Sequence, residues 1–138
     1  MLKLEEVSKS YGGVRAAGPL SMETEPGRTS VLIGRSGCGK STLLRLMIGL
    51  VPPDSGEVFL GGERLVPSNI LALRRRLGYV IQDGGLFPHL TARDNVTLMA
   101  RHLKWPGERI ESRLEELASL TRFPRDGFSR FPAQLSGG

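Results

Sequence analysis

The sequence predicts an α/β fold, in which an antiparallel β part and a buried parallel strand precede a mostly helical region. Apolar and polar residues alternate over residues 2–7, which is the period of a half-buried strand. Residues 29–33 form an apolar, β-branched run without alternation, as expected of a strand buried on both faces of a parallel sheet. Apolar residues recur at helical spacing over residues 91–104 and 108–120.

Turn residues and periodicity predict the remaining elements and a division of the chain. The sequence pattern changes near residue 82 from mixed strands and helices to mainly helices, so we expect a β/α core over residues 1–82 and a helical part over residues 83–138. The core is predicted to contain further strands over residues 14–25, 56–60 and 78–82, and helices over residues 43–48 and 70–77.

Composition and charge exclude several classes of protein. The 138 residues are 39% hydrophobic and 24% charged, which is typical of a globular domain and too apolar for a disordered chain. The net charge of +5 is dispersed, with Arg74–Arg76 as the only run of arginines, which argues against a nucleic-acid partner. The single Cys38 excludes an internal disulfide, and Glu5 and Glu6 interrupt any secretory signal. We therefore expect a cytosolic setting.

One motif predicts a specific chemistry. Gly34, Gly39, Lys40 and Ser41 match the pattern G-x-x-x-x-G-K-[ST]. Glycines let successive backbone N–H groups converge on a phosphate, and the following helix directs its positive end at the same oxygens. Lys40 is expected to reach the β- and γ-phosphates, and the Ser41 hydroxyl to bind Mg²⁺. The predicted nucleotide-binding residues of this loop are Gly34, Arg35, Ser36, Gly37, Cys38, Gly39, Lys40, Ser41 and Thr42.

Three features outside the loop resemble the ATP-binding cassette (ABC) ATPases. The sequence ends in Leu-Ser-Gly-Gly, which resembles the start of the signature motif of that family. Gln82 follows a predicted strand, at the position of the family's Q-loop glutamine. Tyr11 precedes the phosphate loop at the distance where the family has an aromatic ring that stacks on adenine. Together with the loop, these features make the chain similar to an ABC ATPase over its whole length.

The resemblance implies a set of cofactors, partners and residue roles. ATP and Mg²⁺ would be bound between two ATPase subunits arranged head to tail. Ser136, Gly137 and Gly138 would contact the γ-phosphate that the partner's loop holds. Gln82, with Ser41, would position Mg²⁺ or the attacking water, and the Q-loop would couple hydrolysis to transmembrane permease subunits. Such a subunit is peripheral, at the cytoplasmic face of the inner or plasma membrane, and acts indirectly with a solute-binding protein.

A narrower resemblance concerns the transported solute. Residues 78–82, residues 85–91 and the pair Trp105–Pro106 resemble ATPases of importers for quaternary-amine osmoprotectants such as glycine betaine, carnitine or choline. The family also has an Asp-Glu strand and a switch histidine after the signature, at which this sequence ends. The general base and the C-terminal part of the family fold are therefore outside this chain, which we expect to bind nucleotide without turning it over. Two alternatives stay open: a nucleotide-binding remnant without catalysis, and a soluble ABC ATPase that acts on nucleic acid or the ribosome.

Overall fold

The computed structural model describes residues 1–82 and 84–136 and divides the chain into two compact units, Met1–Tyr79 and Val80–Gly138. The boundary lies three residues before the division expected from the sequence. Among the helices within the described residues, none combines the length and the apolar character that crossing a bilayer requires.

The first unit contains a four-stranded antiparallel sheet. Its strands are β1 (Leu2–Tyr11), β2 (Val14–Glu23), β3 (Ser55–Leu60) and β4 (Glu63–Arg64), in the order β2-β1-β3-β4. Gly12 and Gly13 join β1 to β2 with φ values of 55° and 80°. A two-residue turn with positive φ at both positions matches the twist of the strands that it connects. The antiparallel β part predicted from the sequence is thus present.

One short helix closes the core of this unit. Helix α1 (Lys40–Met47) buries Leu43, Leu46 and Met47 against the sheet. This spacing gives the helix one apolar face. Leu4 and Val7 of β1 and Val58 of β3 complete the buried cluster. The packing fixes the position of α1 on the sheet, and with it the start of the helix at Lys40. A second helix, α2 (Ile70–Arg74), buries Leu73.

The second unit is helical. It consists of α3 (Ala92–His102), α4 (Gly107–Thr121) and two 3₁₀ helices, Arg125–Ser129 and Pro132–Gln134. Thr91 caps α3 by accepting a hydrogen bond from the Asp94 amide at 3.1 Å. Hydrogen bonds from the Thr91 hydroxyl and from Arg101 hold the pKa of Asp94 below its usual value. The amide of Ala92 donates to Arg130 at 2.8 Å, which ties the 3₁₀ region to the start of α3.

Two predicted strands are absent, and both predictions are wrong. The backbone of residues 29–33 forms no strand, and the side chains of Val31 and Ile33 are 72% and 91% exposed. Residues 78–82 likewise form no strand, and Val80 is 92% exposed. A strand requires a neighbour that satisfies its backbone groups, and no described strand pairs with either run. Both runs are apolar, as the sequence pattern indicates, but Val31, Ile33 and Val80 are exposed instead of buried.

Helices are present at the positions predicted in the second half of the chain and after β4. The helices expected over residues 91–104 and 108–120 are confirmed as α3 and α4, with ends shifted by one or two residues. The helix expected over residues 70–77 is shorter, because α2 ends at Arg74 and a turn follows.

Candidate functional site

The phosphate loop leads into a helix whose positive end has no protein cap. Gly39 is the N-cap residue of α1 and contributes no side-chain hydrogen bond, and the first turn contains no acidic residue. The first amides of an α-helix have no acceptor within the helix. The start of α1 therefore presents free N–H donors and the positive end of the helix dipole, which together favour an anion.

Glycine is required at the point where the loop joins α1. The backbone of Gly39 has a φ of 93°, a conformation that other residues rarely adopt. A Cβ atom built on Gly39 would lie 2.1 Å from the carbonyl oxygen of Ala16 in β2, which is a severe overlap. Gly37 also has a positive φ, of 81°. These glycines allow the loop to curve tightly and the start of α1 to approach the sheet.

The ammonium group of Lys40 lies over the loop itself. Its Nζ donates hydrogen bonds to the carbonyl oxygens of Gly34 at 2.7 Å and Arg35 at 2.8 Å. It also lies 3.5 Å from Cys38 Sγ, which occupies the space that a side chain on Gly34 would fill. Phosphate oxygens accept the same donors more strongly than neutral carbonyls do, because the hydrogen bond is then charge-assisted on both sides. The Lys40 ammonium can thus exchange its carbonyl acceptors for the oxygens of a bound phosphate.

Two hydroxyl groups follow Lys40 in the first turn of α1. Ser41 is exposed and Thr42 is half-buried. A hydroxyl oxygen is a suitable ligand for Mg²⁺, which prefers hard oxygen donors and keeps several waters. The donor set of the loop therefore fits a phosphate group and the magnesium ion that accompanies it.

Tyr11 ends β1 in the same unit as the loop. Its side chain is 49% exposed, and Lys9 Nζ lies 5.6 Å from the ring centroid. The strand register pairs Tyr11 with Val14, two residues before the Ala16 carbonyl that adjoins Gly39. The hairpin therefore brings an exposed aromatic residue to the neighbourhood of the loop.

The other predicted site residues belong to the second unit. Gln82 lies in a bend, Ser136 follows the last 3₁₀ helix, and both are exposed. Both line one cavity of about 920 Å³, whose remaining walls are mostly apolar and include Leu114, Leu117 and Phe128. The structure thus brings Gln82 and Ser136 to the same cavity. Gly137 and Gly138, also predicted as nucleotide contacts, lie outside the described residues.

A residue that sequence reasoning missed organises the loop after Gln82. The Asn95 side chain accepts from the amide of Phe87 at 2.8 Å and donates to the carbonyls of Phe87 at 3.1 Å and Leu90 at 3.0 Å. Phe87 is 49% exposed, and its ring contacts His89 edge to face with centroids 6.0 Å apart. An asparagine in the first turn of an amphipathic helix was the available signal. Asn95 holds this aromatic pair at the surface of the unit.

The G-x-x-x-x-G-K-[ST] loop between β2 and the uncapped start of α1 is typical of a phosphate-loop protein. The family model described as "ABC transporter" matches residues 17–138. The chain belongs to the ABC transporter family.

Comparisons with individual proteins agree with this family. The chain is 42% identical over its whole length to the glycine betaine/carnitine/choline transport ATP-binding protein OpuCA of Bacillus subtilis (strain 168), of which it spans 37%. It is also 42% identical to the glycine betaine uptake system ATP-binding protein YehX of Escherichia coli (strain K12), of which it spans 45%. A dimeric, post-hydrolysis structure of the ATP-binding cassette MJ0796, bound to ADP and Pi, superposes with a TM-score of 0.86 at 30% identity. The match covers 99% of this chain and 63% of that cassette.

Proposed function

We propose that this chain is the nucleotide-binding, N-terminal part of an ABC importer ATPase and binds Mg-ATP through residues 34–42. The observation that carries the proposal is the loop with the helix that follows it: the start of α1 has free amides and no side-chain cap, and the Lys40 ammonium lies over the loop carbonyls. The relatives' names and the ADP-bound cassette support the same nucleotide chemistry. Ser41 would supply one Mg²⁺ ligand, and the bound Mg²⁺ would offset charge on the phosphates.

We further propose that the complete subunit works as a head-to-tail dimer beneath transmembrane permease subunits, at the cytoplasmic face of the membrane. The dimeric MJ0796 cassette supports the pairing of two subunits. Ser136, Gly137 and Gly138 would contact nucleotide bound by the partner. The exposed aromatic pair held by Asn95 would belong to the surface that couples to the permease.

The proposed solute is a quaternary-amine osmoprotectant such as glycine betaine, carnitine or choline. Two relatives at 42% identity carry such names, although a sulfate/thiosulfate import ATP-binding protein of Gloeobacter violaceus (strain ATCC 29082 / PCC 7421) reaches 42% over 135 residues. Uptake of radiolabelled glycine betaine and of sulfate by cells lacking the subunit distinguishes these classes. Loss of glycine betaine uptake alone, restored by the wild-type gene but not by Lys40→Ala, is expected. Loss of sulfate uptake alone would assign the other class.

The Tyr11 ring is expected to stack on the adenine of bound ATP. Tyr11→Ala should therefore weaken ATP binding about 3- to 10-fold, whereas Tyr11→Trp should preserve it because both rings offer a flat apolar face. Titration of the three proteins with a fluorescent ATP analogue provides the measurement. Phe87→Ala is a matched control, because Phe87 has an equally exposed ring but belongs to the second unit. Equal affinities of the alanine variant and the wild type would assign Tyr11 to the hairpin alone.

Gln82 is expected to affect turnover more than binding. In the full-length subunit, Gln82→Ala should lower the ATPase rate at least about 10-fold while ATP affinity stays within a few-fold, because the residue would orient water or Mg²⁺ instead of holding the nucleotide. Steady-state phosphate release and equilibrium titration separate the two quantities. Ser112→Ala serves as a control, because Ser112 is an exposed polar residue of α4 in the same unit. Weakened binding with unchanged turnover per bound ATP would contradict the role.

A further inference from the structure

We propose that Asp54 is a positioning residue of the nucleotide site, which acts through Lys9 to hold the Tyr11 ring ready for adenine. This inference rests on the proposed stacking of adenine on Tyr11 and deepens it by naming the groups that orient the ring. Asp54 and Lys9 both lie outside the phosphate loop, and the pattern G-x-x-x-x-G-K-[ST] includes neither of them.

Asp54 binds three consecutive residues of β1. Its amide donates to the carbonyl oxygen of Ser8 at 2.9 Å. Its carboxylate accepts from Lys9 Nζ at 2.6 Å through Oδ1 and from the Ser10 amide at 2.7 Å through Oδ2. The bond from Lys9, and after it the bond from Ser10, hold the pKa of Asp54 below its usual value, so the carboxylate is ionised at neutral pH. The end of β1 is thereby attached to the segment that precedes β3.

The ion pair places a cation over the Tyr11 ring. The Lys9 side chain is only 13% exposed, so its flexible stem is largely covered. Lys9 Nζ lies 5.6 Å from the ring centroid, within the range at which an ammonium attracts the face of an aromatic ring. Without the Asp54 carboxylate, the ammonium would turn toward solvent, as lysine side chains do where they have no partner. Asp54 therefore fixes the cation that contacts the ring.

Tyr11 needs this support because of its place in the hairpin. The ring is half-exposed, and the two residues that follow it, Gly12 and Gly13, have no side chains that could pack against it. An unsupported ring samples several rotamers, and a base that stacks on it has to offset the entropy of ordering it. With the Lys9 ammonium over one face, the ring is ordered before adenine binds and offers its other face to the base.

The experiment compares affinities for Mg-ATP and for magnesium tripolyphosphate, which has a phosphate chain without adenine or ribose. Asp54→Ala and Lys9→Met in the 138-residue chain should each lower the ratio of ATP to tripolyphosphate affinity about 3-fold. These variants change the net charge in opposite directions, so a general attraction of polyanions would shift their affinities in opposite directions. Lys40→Ala should weaken the binding of both ligands, which tests the function of the loop separately.

Glu63→Ala is the matched control. Glu63 is an exposed carboxylate in β4 of the same sheet, and it pairs with Arg76 at 2.8 Å. Its removal changes the net charge by the same amount as Asp54→Ala and should leave the ratio of the two affinities unchanged. Circular dichroism verifies that the variants fold. Asp54→Asn, which keeps one oxygen acceptor, takes the place of Asp54→Ala if the alanine variant does not fold.

A double-mutant cycle shows whether the effect of Asp54 passes through the ring. Tyr11→Ala alone should lower the ratio, and Asp54→Ala added to it should lower the ratio no further. A loss that does not pass through the ring would instead add to the loss in Tyr11→Ala.

The outcomes separate this inference from the stacking on which it rests. An unchanged ratio in Asp54→Ala and Lys9→Met, with a lowered ratio in Tyr11→Ala, would overturn the positioning role and leave adenine stacking intact. An unchanged ratio in Tyr11→Ala would overturn both. Additive losses in the double variant, or opposite shifts in Asp54→Ala and Lys9→Met, would contradict the positioning role alone.

Discussion

The purified 138-residue chain is expected to release no phosphate from saturating Mg-ATP above the background rate. Phosphoryl transfer to water depends on a residue that positions or activates the water. The resemblance to ABC ATPases implies that this carboxylate lies after the signature motif, in a segment that the 138 residues under test do not include. Gln82 can orient a water molecule but is not a base. Nucleotide binding and nucleotide hydrolysis should therefore be separable in this chain.

Phosphate release over hours, with an enzyme-coupled or dye assay, provides the test. A subunit extended to the length of the relatives should hydrolyse ATP, and its Lys40→Ala variant serves as the negative control. Lys40-dependent turnover by the 138-residue chain on the order of 1 s⁻¹, within the usual range of enzymes, would refute the expectation. Binding without hydrolysis by the longer subunit as well would favour the alternative of a nucleotide-binding protein without catalysis.

Replacing Lys40 by alanine is expected to lower ATP affinity at least about 10-fold, which corresponds to about 1.4 kcal/mol. The structure gives the reason: the Lys40 ammonium lies among the carbonyls of Gly34 and Arg35, in the loop that leads into the uncapped start of α1. Its removal takes away a fully charged donor at the phosphate position. A fluorescent ATP analogue measures the affinities of both proteins.

Lys104→Ala is the control for this variant. Lys104 is exposed and lies between α3 and α4 in the second unit, so Lys104→Ala removes the same charge from a residue outside the loop. ATP affinity should stay within about 2-fold of the wild type. Equal affinities of wild type and Lys40→Ala would remove the basis for the nucleotide site, whereas equal losses in both lysine variants would indicate nonspecific attraction of a polyanion.

Features set by local sequence were predictable. Gly12 and Gly13 predict the hairpin because both positions require positive φ, and the 3.6-residue spacing predicts α3 and α4. The phosphate loop was recognisable for the same reason, because its glycines and Lys40 all lie within residues 34–40. Tyr11, Gln82 and Ser136 were predicted through resemblance, and their roles stay predictions.

Features set by distant partners were not predictable. The runs at residues 29–33 and 78–82 have strand-like sequences, but a strand exists only where a neighbour pairs with it. None of the described strands does so, and Ile33 and Val80 are almost fully exposed. Asn95 escaped notice because its hydrogen bonds reach back to residues five and eight positions earlier. An asparagine in a helix gives no sign of those partners.

Chemical-shift mapping of backbone amides tests most directly whether residues 34–42 bind nucleotide phosphate. A ¹⁵N-labelled chain of 138 residues is suited to this measurement. Addition of Mg-ATP should shift the amides of Gly37, Gly39, Lys40 and Ser41 strongly and saturably, and adenosine at the same concentration should not. Amide shifts that are confined to other residues, or that adenosine reproduces in the loop, would contradict the assignment of this loop as the phosphate site.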